Sequence, residues 1–466
     1  MKYPKISYQL IRLAAVCLLL QATSLLSAQE AEQKTHQAPL SKMELQTGDS
    51  IVFLGDSITH QCLYTQYVED FFYTRYPKMR LKFHNAGVGG AKAWDALARF
   101  DRDVAAYHPK YVTVLLGMND GRYQPFNDEI FKTYYDDMKE LISKIEGIGA
   151  TPILMTPTMF DARAARMGKR PRDPVSVELY NSVLAYYGTW LREVAAESGF
   201  GFVDMYGPLN NITIAERQKN PQFTIIRDAV HPDAPGQVVM AFALLSDMNV
   251  QRQVSRITVS KKANGEATST ARGGKLSDLK YSDDGVSFTW LADSLPWVVP
   301  AEAKLGAELT KLGHRMSQES LSIHDLPPGR YELSIDGEVV GQYSNTTLAR
   351  HVELQGNPKT PQYQQAMQVA LLNKERNDGP VKNKRNTWRV FQVYARMKRE
   401  LDAQGDQKDQ KTVAKLAELD KRLADQDRVI QESEAAAKAL EDKIYEINQP
   451  EARKYVLKKV TAAKKK

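Results

Sequence analysis

Cysteine is nearly absent from this chain. Only Cys17 and Cys62 occur among 466 residues, which excludes a disulfide scaffold and a zinc site built on thiolates. No His-Glu-x-x-His or carboxylate-rich pattern points to another metal site. The run Gly87-Val88-Gly89-Gly90 lacks the full Gly-x-Gly-x-x-Gly spacing, so it is not read as a dinucleotide loop. The apolar run Leu13–Leu20 falls far short of the roughly 20 residues that a membrane-spanning helix needs. Composition is otherwise ordinary, with 42% hydrophobic and 26% charged residues, which excludes wholesale disorder, collagen and a multi-span membrane protein. At roughly 150 residues per domain, the length predicts about three units.

The net charge of +7 is unevenly spread. Residues 381–466 hold 22 Lys and Arg against 14 Asp and Glu, so a local charge of +8 leaves the preceding residues near neutral. A basic tail of this kind suits nucleic acid, anionic lipid or acidic polysaccharide; the plainer reading is a solvated helix face. At the other end, Lys2, Lys5 and Arg12 precede Leu13–Leu20, and small and polar residues follow up to Ala28. This layout predicts a signal peptide over residues 1–28 and a secreted or periplasmic location. Without that segment Cys62 has no disulfide partner, and it reads as a buried small hydrophobe.

Between residues 43 and 250 short apolar runs alternate with amphipathic stretches, the pattern of an α/β sheet protein. The expected strands are Ser50–Leu54, Leu81–Asn85, Tyr111–Leu116, Thr151–Thr156 and Gly201–Asp204, with helices such as Ile130–Glu146 and Val177–Ser198 between them. Residues 251–355 carry β-like runs and turn dipeptides such as Asp336-Gly337, and predict a small antiparallel β module. Residues 356–466 predict a charged helical region. An apolar residue recurs every seven at Leu416, Leu423, Ile430, Ala437 and Ile444, but the companion seam is broken by Gln426 and Ser433. A long amphipathic helix lying on its own protein is expected rather than a strict coiled coil, with oligomerisation through it left open.

The chemistry concentrates where strands end. Ile51-Val-Phe-Leu runs directly into Gly55-Asp56-Ser57, which puts a serine at the carboxyl end of a buried strand and at the mouth of a helix. Gly48-Asp49-Ser50 has the same letters but precedes the strand, so geometry rejects it. A serine hydroxyl needs a base. The candidate is His231 in Asp228-Ala-Val-His231-Pro232, with Asp228 placed to hold the second ring nitrogen and Asp204 as a rival acid. Donors for a developing oxyanion are available in Asn85-Ala-Gly87-Val-Gly89-Gly90 and in Gly117-Met-Asn119-Asp120. Asp56 reads as a structural hydrogen-bonder. Tyr123 and Phe126 either flank a substrate pocket or cover a sheet edge.

In order and spacing these four segments resemble the conserved blocks of the SGNH (GDSL) hydrolases, over residues from about 45 to 250. The resemblance implies a flavodoxin-like three-layer α/β/α domain and ester hydrolysis through an acyl-enzyme, without metal or cofactor. It casts Ser57 as nucleophile, His231 as base and Asp228 as acid. The oxyanion donors it implies are the Ser57 N–H, the Gly90 N–H and the Asn119 amide, with Pro232 and Gly236 continuing the last block. Gly89 stands where a serine is frequent in the family, so either Gly89 or Gly90 is the second donor. The expected protein is an exported serine esterase that deacetylates a carbohydrate. The alternatives are a lipase- or arylesterase-type enzyme on small or lipid esters, and a non-catalytic binding scaffold with a relic hydrolase domain. Nucleic acid is not an expected partner.

Overall fold

The computed structural model describes residues 43–168, 173–404 and 409–460. The expected signal peptide lies outside the described residues. Five strands, β1 (Ser50–Gly55), β2 (Lys82–Gly87), β3 (Tyr111–Leu115), β4 (Thr151–Met155) and β5 (Gly201–Val203), form a parallel sheet in the order β2-β1-β3-β4-β5. All five expected strands are present, within two residues at their ends. Every residue of β1 is buried, as a parallel strand covered on both faces requires.

Besides a short helix at Ala162–Met167, the helices of this domain are α1 (Ser57–His60), α2 (Leu63–Arg75), α3 (Ala93–Asp103), α4 (Asp128–Gly147), α5 (Pro174–Ser198), α6 (Tyr206–Arg217) and α7 (Ala234–Asp247). They flank the sheet as α2, α6 and α7 on one side and α3, α4 and α5 on the other, giving the flavodoxin-like three-layer fold. Local chemistry sets their ends. The Asn127 side chain accepts from Ile130 N–H at the start of α4, and α5 opens on an Asp173 cap with Pro174 in its first turn. Gly199 closes α5 in the left-handed conformation at φ +73°.

Register decides where the site lies. Gly55 sits beside Gly87 on one side and Leu115 on the other, so the loops leaving β1, β2 and β3 start level with one another. The chain runs outward from β1 to β2, then crosses over β1 to β3. That reversal opens a crevice at the carboxyl ends of the strands. Gly87 is required there, because a Cβ would stand 2.3 Å from the His60 backbone nitrogen.

The second unit is a sandwich of two sheets. One has the order β13-β10-β6-β7, built from β6 (Gln253–Lys261), β7 (Ala267–Arg272), β10 (Gln318–Ile323) and β13 (Val352–Glu353). The other has the order β12-β11-β14-β9-β8, built from β8 (Gly274–Ser282), β9 (Gly285–Ala292), β11 (Arg330–Ile335), β12 (Glu338–Ser344) and β14 (Ala452–Lys459). Their inner faces share a core that includes Ile257, Trp290, Leu321, Leu333 and Leu457. The module is not purely antiparallel, since β6 and β10 run parallel.

Helices α8 (Pro361–Arg376), α9 (Lys382–Ala403), α10 (Gln410–Leu423) and α11 (Gln426–Ile447) follow. A π-helical turn at Asn377–Val381, containing Pro380, joins α8 to α9. Two expectations for this region are corrected. The recurrence from Leu416 to Ile447 is not one helix; it breaks at Ala424 and Asp425, because α10 packs along α9 whereas α11 packs mainly on α8. The region is also not helical to its end, because β14 pairs with both β9 and β11 and buries Tyr455 and Leu457. Its alternation is short and flanked by lysines, so it merged with the surrounding charge. The helices lie against the α/β domain, and Val369, Trp388 and Ile444 belong to that domain's own core. Among the described residues no helix is long and apolar enough to cross a membrane.

Candidate active site

Asp56 begins the site by capping α1. Its Oδ1 accepts from Ile58 N–H at 2.9 Å, and burial pushes its carboxyl up to about 6. This fits the expected structural role, and the cap turns the next residue, Ser57, toward the crevice. Ser57 Oγ lies 2.7 Å from His231 Nε2, and His231 Nδ1 lies 2.6 Å from Asp228 Oδ2. With Nδ1–H donating to the carboxylate, the Nε2 lone pair faces the serine hydroxyl.

Asp228 and His231 meet through a tight turn. Ala229 adopts φ +76°, a conformation that costs a non-glycine residue roughly 1–2 kcal/mol. The Ala229 carbonyl accepts from Asp161 N–H, which helps hold that turn. Asp228 Oδ1 accepts from the N–H groups of Val230 and His231. Partial burial acts to raise the Asp228 pKa, but the His231 ring and these backbone donors outweigh it and hold the carboxyl well below its usual range. Asp204 is elsewhere: it accepts from Thr156 Oγ1 and Gly207 N–H, a helix-capping role.

The loop after β2 carries the glycines. Asn85 anchors it, accepting from Gly87 N–H and donating to the Thr59 carbonyl beneath α1. Gly90 has φ +73°, which explains a glycine there. The N–H groups of Ser57, Gly89 and Gly90 donate to no other described group. The carbonyls of Gly89 and Gly90 point the other way, and they are held from outside the α/β domain. Gln392 Nε2 donates to Gly89 O at 3.0 Å, and Arg396 Nη2 donates to Gly90 O at 2.6 Å while also bridging to Asp95. Because the Gly89–Gly90 peptide is trans and planar, the bond from Gln392 turns the Gly90 N–H away from α9.

Asn119 lines the same cleft. Its amide donates to the Ala91 carbonyl at 3.1 Å, and its Oδ1 accepts from Tyr123 Oη at 3.0 Å. The neighbouring Asp120 is buried, which pushes its carboxyl up to about 7. It accepts from Ala93 and Gly117 N–H groups and so ties two of the loops together. The two aromatic candidates part company: Tyr123 lines the cleft, whereas Phe126 packs on Phe131 and Tyr186.

The cleft has a volume of about 600 Å³, and its far wall is α9, through Arg389, Gln392, Val393 and Arg396. These residues were not anticipated from sequence. Their spacing does place them on one helical face, but nothing in a charged amphipathic helix says what that face opposes. Docking of α9 is ionic: Arg385 makes paired bonds to the fully buried Asp103 at 2.8 and 2.7 Å, and Arg99 and His84 reach the same carboxylate. Burial works against the Asp103 charge, but Arg385, His84 and Arg99 overcome it and leave the carboxyl far below its usual range. Among the described residues no group of three or more His, Cys, Asp or Glu side chains is arranged to hold a metal ion. Cys62 is buried and its thiol is pushed up to about 12, as expected of a small hydrophobe.

Residues 53–239 match the GDSL-like Lipase/Acylhydrolase family. These residues form an SGNH/GDSL hydrolase domain. As such it is a carboxylic ester hydrolase, and the match falls on the α/β domain rather than on the sandwich or the tail helices. An acetylxylan esterase of Geobacillus stearothermophilus is 25% identical over 236 residues, which is 46% of this chain and the whole of that protein. A solved gut microbial diltiazem-metabolizing enzyme is 26% identical and superposes with a TM-score of 0.74, covering 91% of this chain and all of that one. That second likeness shows that the sandwich and tail helices of this SGNH hydrolase recur together with its catalytic-type domain.

Proposed function

We propose that Ser57, His231 and Asp228 form the catalytic triad of this ester hydrolase, and that its substrates are O-acetylated carbohydrates outside the cytoplasm. The observation that carries the reading is the unbroken chain from Ser57 Oγ to His231 Nε2 and from His231 Nδ1 to Asp228. Ser57 Oγ attacks the ester carbonyl carbon as its proton passes to His231 Nε2. The oxyanion that forms is met by the N–H groups of Ser57 and Gly90 and the Asn119 amide. When the tetrahedral centre collapses, the ester C–O bond breaks and His231 returns the proton to the departing alcohol. Water, deprotonated by His231, then releases the acid from Ser57.

Acetyl groups on a saccharide are suggested by the acetylxylan esterase relative, and export by the basic and apolar layout of residues 1–28. A second reading, a small non-carbohydrate ester, is supported by the diltiazem-metabolizing relative, which spans the tail helices as well. The test is acetate release from acetylated xylo-oligosaccharides and from p-nitrophenyl acetate, wild type beside Ser57→Ala. The variant should lose roughly 10⁴-fold or more in kcat on both while keeping its melting temperature. Wild-type turnover in a folded Ser57→Ala protein would overturn the triad. Activity on p-nitrophenyl acetate alone would favour the second reading.

A further inference from the structure

The cleft beside Ser57 is lined by no carboxylate and by two arginines. Arg396 is committed through Nε and Nη2, with Asp95 and the Gly90 carbonyl as its partners. Arg389 is not: among the described residues its guanidinium makes neither an ion pair nor a hydrogen bond. Its Nε lies 3.9 Å from the point where a Gly89 Cβ would stand, directly over the glycine loop. Nearby groups do not compensate its charge. Lys382 and Arg385 lie on the same helix, and Arg385 is committed to Asp103. Across the cleft His60 is pushed down to about 4 by burial and by Arg385, Arg389 and Lys382, so it adds no charge at neutral pH. The remaining lining groups near it, Gln61 beside His60 and Gln392 and Val393 on α9 itself, are uncharged.

An uncompensated arginine fork at the edge of a reaction cleft is suited to a planar anion, because two N–H groups match two carboxylate oxygens. We propose that Arg389 forms a carboxylate subsite and that the preferred substrates are acetyl esters of acidic sugars, with a uronate carboxylate held beside the glycine loop. The inference rests on the esterase reading above and adds to it the charge of the substrate. Arg389 acts as a specificity-determining residue, since it holds a part of the substrate that does not react. It lies outside residues 53–239, so the preference belongs to the tail helix rather than to the family domain.

The experiment uses the full-length protein and three acetylated probes. These are oligogalacturonides, the same oligogalacturonides with their carboxylates methyl-esterified, and xylo-oligosaccharides. Acetate release gives kcat/KM for each, with p-nitrophenyl acetate as a separate check that the wild type is an esterase. The wild type should favour the free-carboxylate probe about ten- to a hundredfold over its methyl-esterified twin, mainly through KM. Arg389→Gln should bring that ratio to near one, whereas Arg389→Lys should keep part of it. A wild-type ratio near one, or a ratio unmoved by Arg389→Gln, would overturn the subsite. Silence on p-nitrophenyl acetate would instead bring down the esterase reading, and the subsite with it.

Discussion

The sheet edge and helix α9 face each other across one cleft, yet they are held by different means. At the sheet edge backbone geometry does the placing. Strand register sets Gly55, Gly87 and Leu115 side by side, and short-range caps from Asp56, Asn85 and Asp120 orient the loops that follow. On α9 long side chains do it: Arg385 reaches Asp103, Lys384 reaches Glu434, and Arg396 reaches Asp95. The first kind of placement is local and stiff, which suits groups that must meet a reacting carbonyl. The second is long-range and tolerant of exchange, which suits a wall that selects substrates.

That contrast can be broken or sharpened by four changes. On the sheet edge, Asn119→Ala should lower kcat by roughly 10²–10³, about 3–4 kcal/mol, if its amide serves the oxyanion. Wild-type turnover in steady-state assays would remove it from the machinery. On the helix side, Arg385→Ala leaves Asp103 buried with weaker compensation and should cost about 3 kcal/mol of stability. A denaturation midpoint that shifts by much less would mean that α9 docks through apolar contacts such as Trp388 alone.

Away from both walls, Glu319 in β10 provides a control in pH. It is buried beside Gln362 and Arg75, and burial pushes its carboxyl up to about 7, above the unfolded value near 4.3. The folded state therefore holds the proton more tightly, and this group's contribution to stability falls as pH rises from about 4 to 7. Glu319→Gln should be more stable than wild type by about 2 kcal/mol at pH 8, with the gap closing by pH 4 in denaturant titrations. A gap that does not change with pH would deny the shift. The smallest expected effect is that of Gln392→Ala, which frees the Gly89 carbonyl and should lower kcat about five- to tenfold, near 1 kcal/mol, with KM moved less. If KM moves alone, Gln392 contacts substrate and does not orient the glycine loop.

Much of the sheet edge was legible in advance. A buried parallel strand announces itself as an apolar run, and the residues at its carboxyl end, Ser57, Gly90 and Asn119, come with it. His231 and Asp228 were also readable, because they stand three positions apart and a tight turn joins them. The far wall was hidden for a physical reason. Arg389, Gln392 and Arg396 acquire meaning only through contacts made some 300 residues away in the chain, and helical periodicity describes a face without naming its partner. β14 was hidden differently. Its inner-facing Tyr455 and Leu457 sit in a three-residue apolar run flanked by lysines, a strand pattern too short to stand out from a basic tail.

The position of β14 has a mechanical consequence for the cleft. Helices α8 to α11 leave the sandwich after β13 and return to it as β14, which is clasped between β9 and β11. They form a handle riveted at both ends to the same block. A handle of this kind cannot swing open like a hatch hinged at one side, because lifting α9 would have to strain the clasp or unseat Arg385. Access to Ser57 is therefore through a mouth of set width, and the size of the ester that can enter is decided by folding before any substrate arrives.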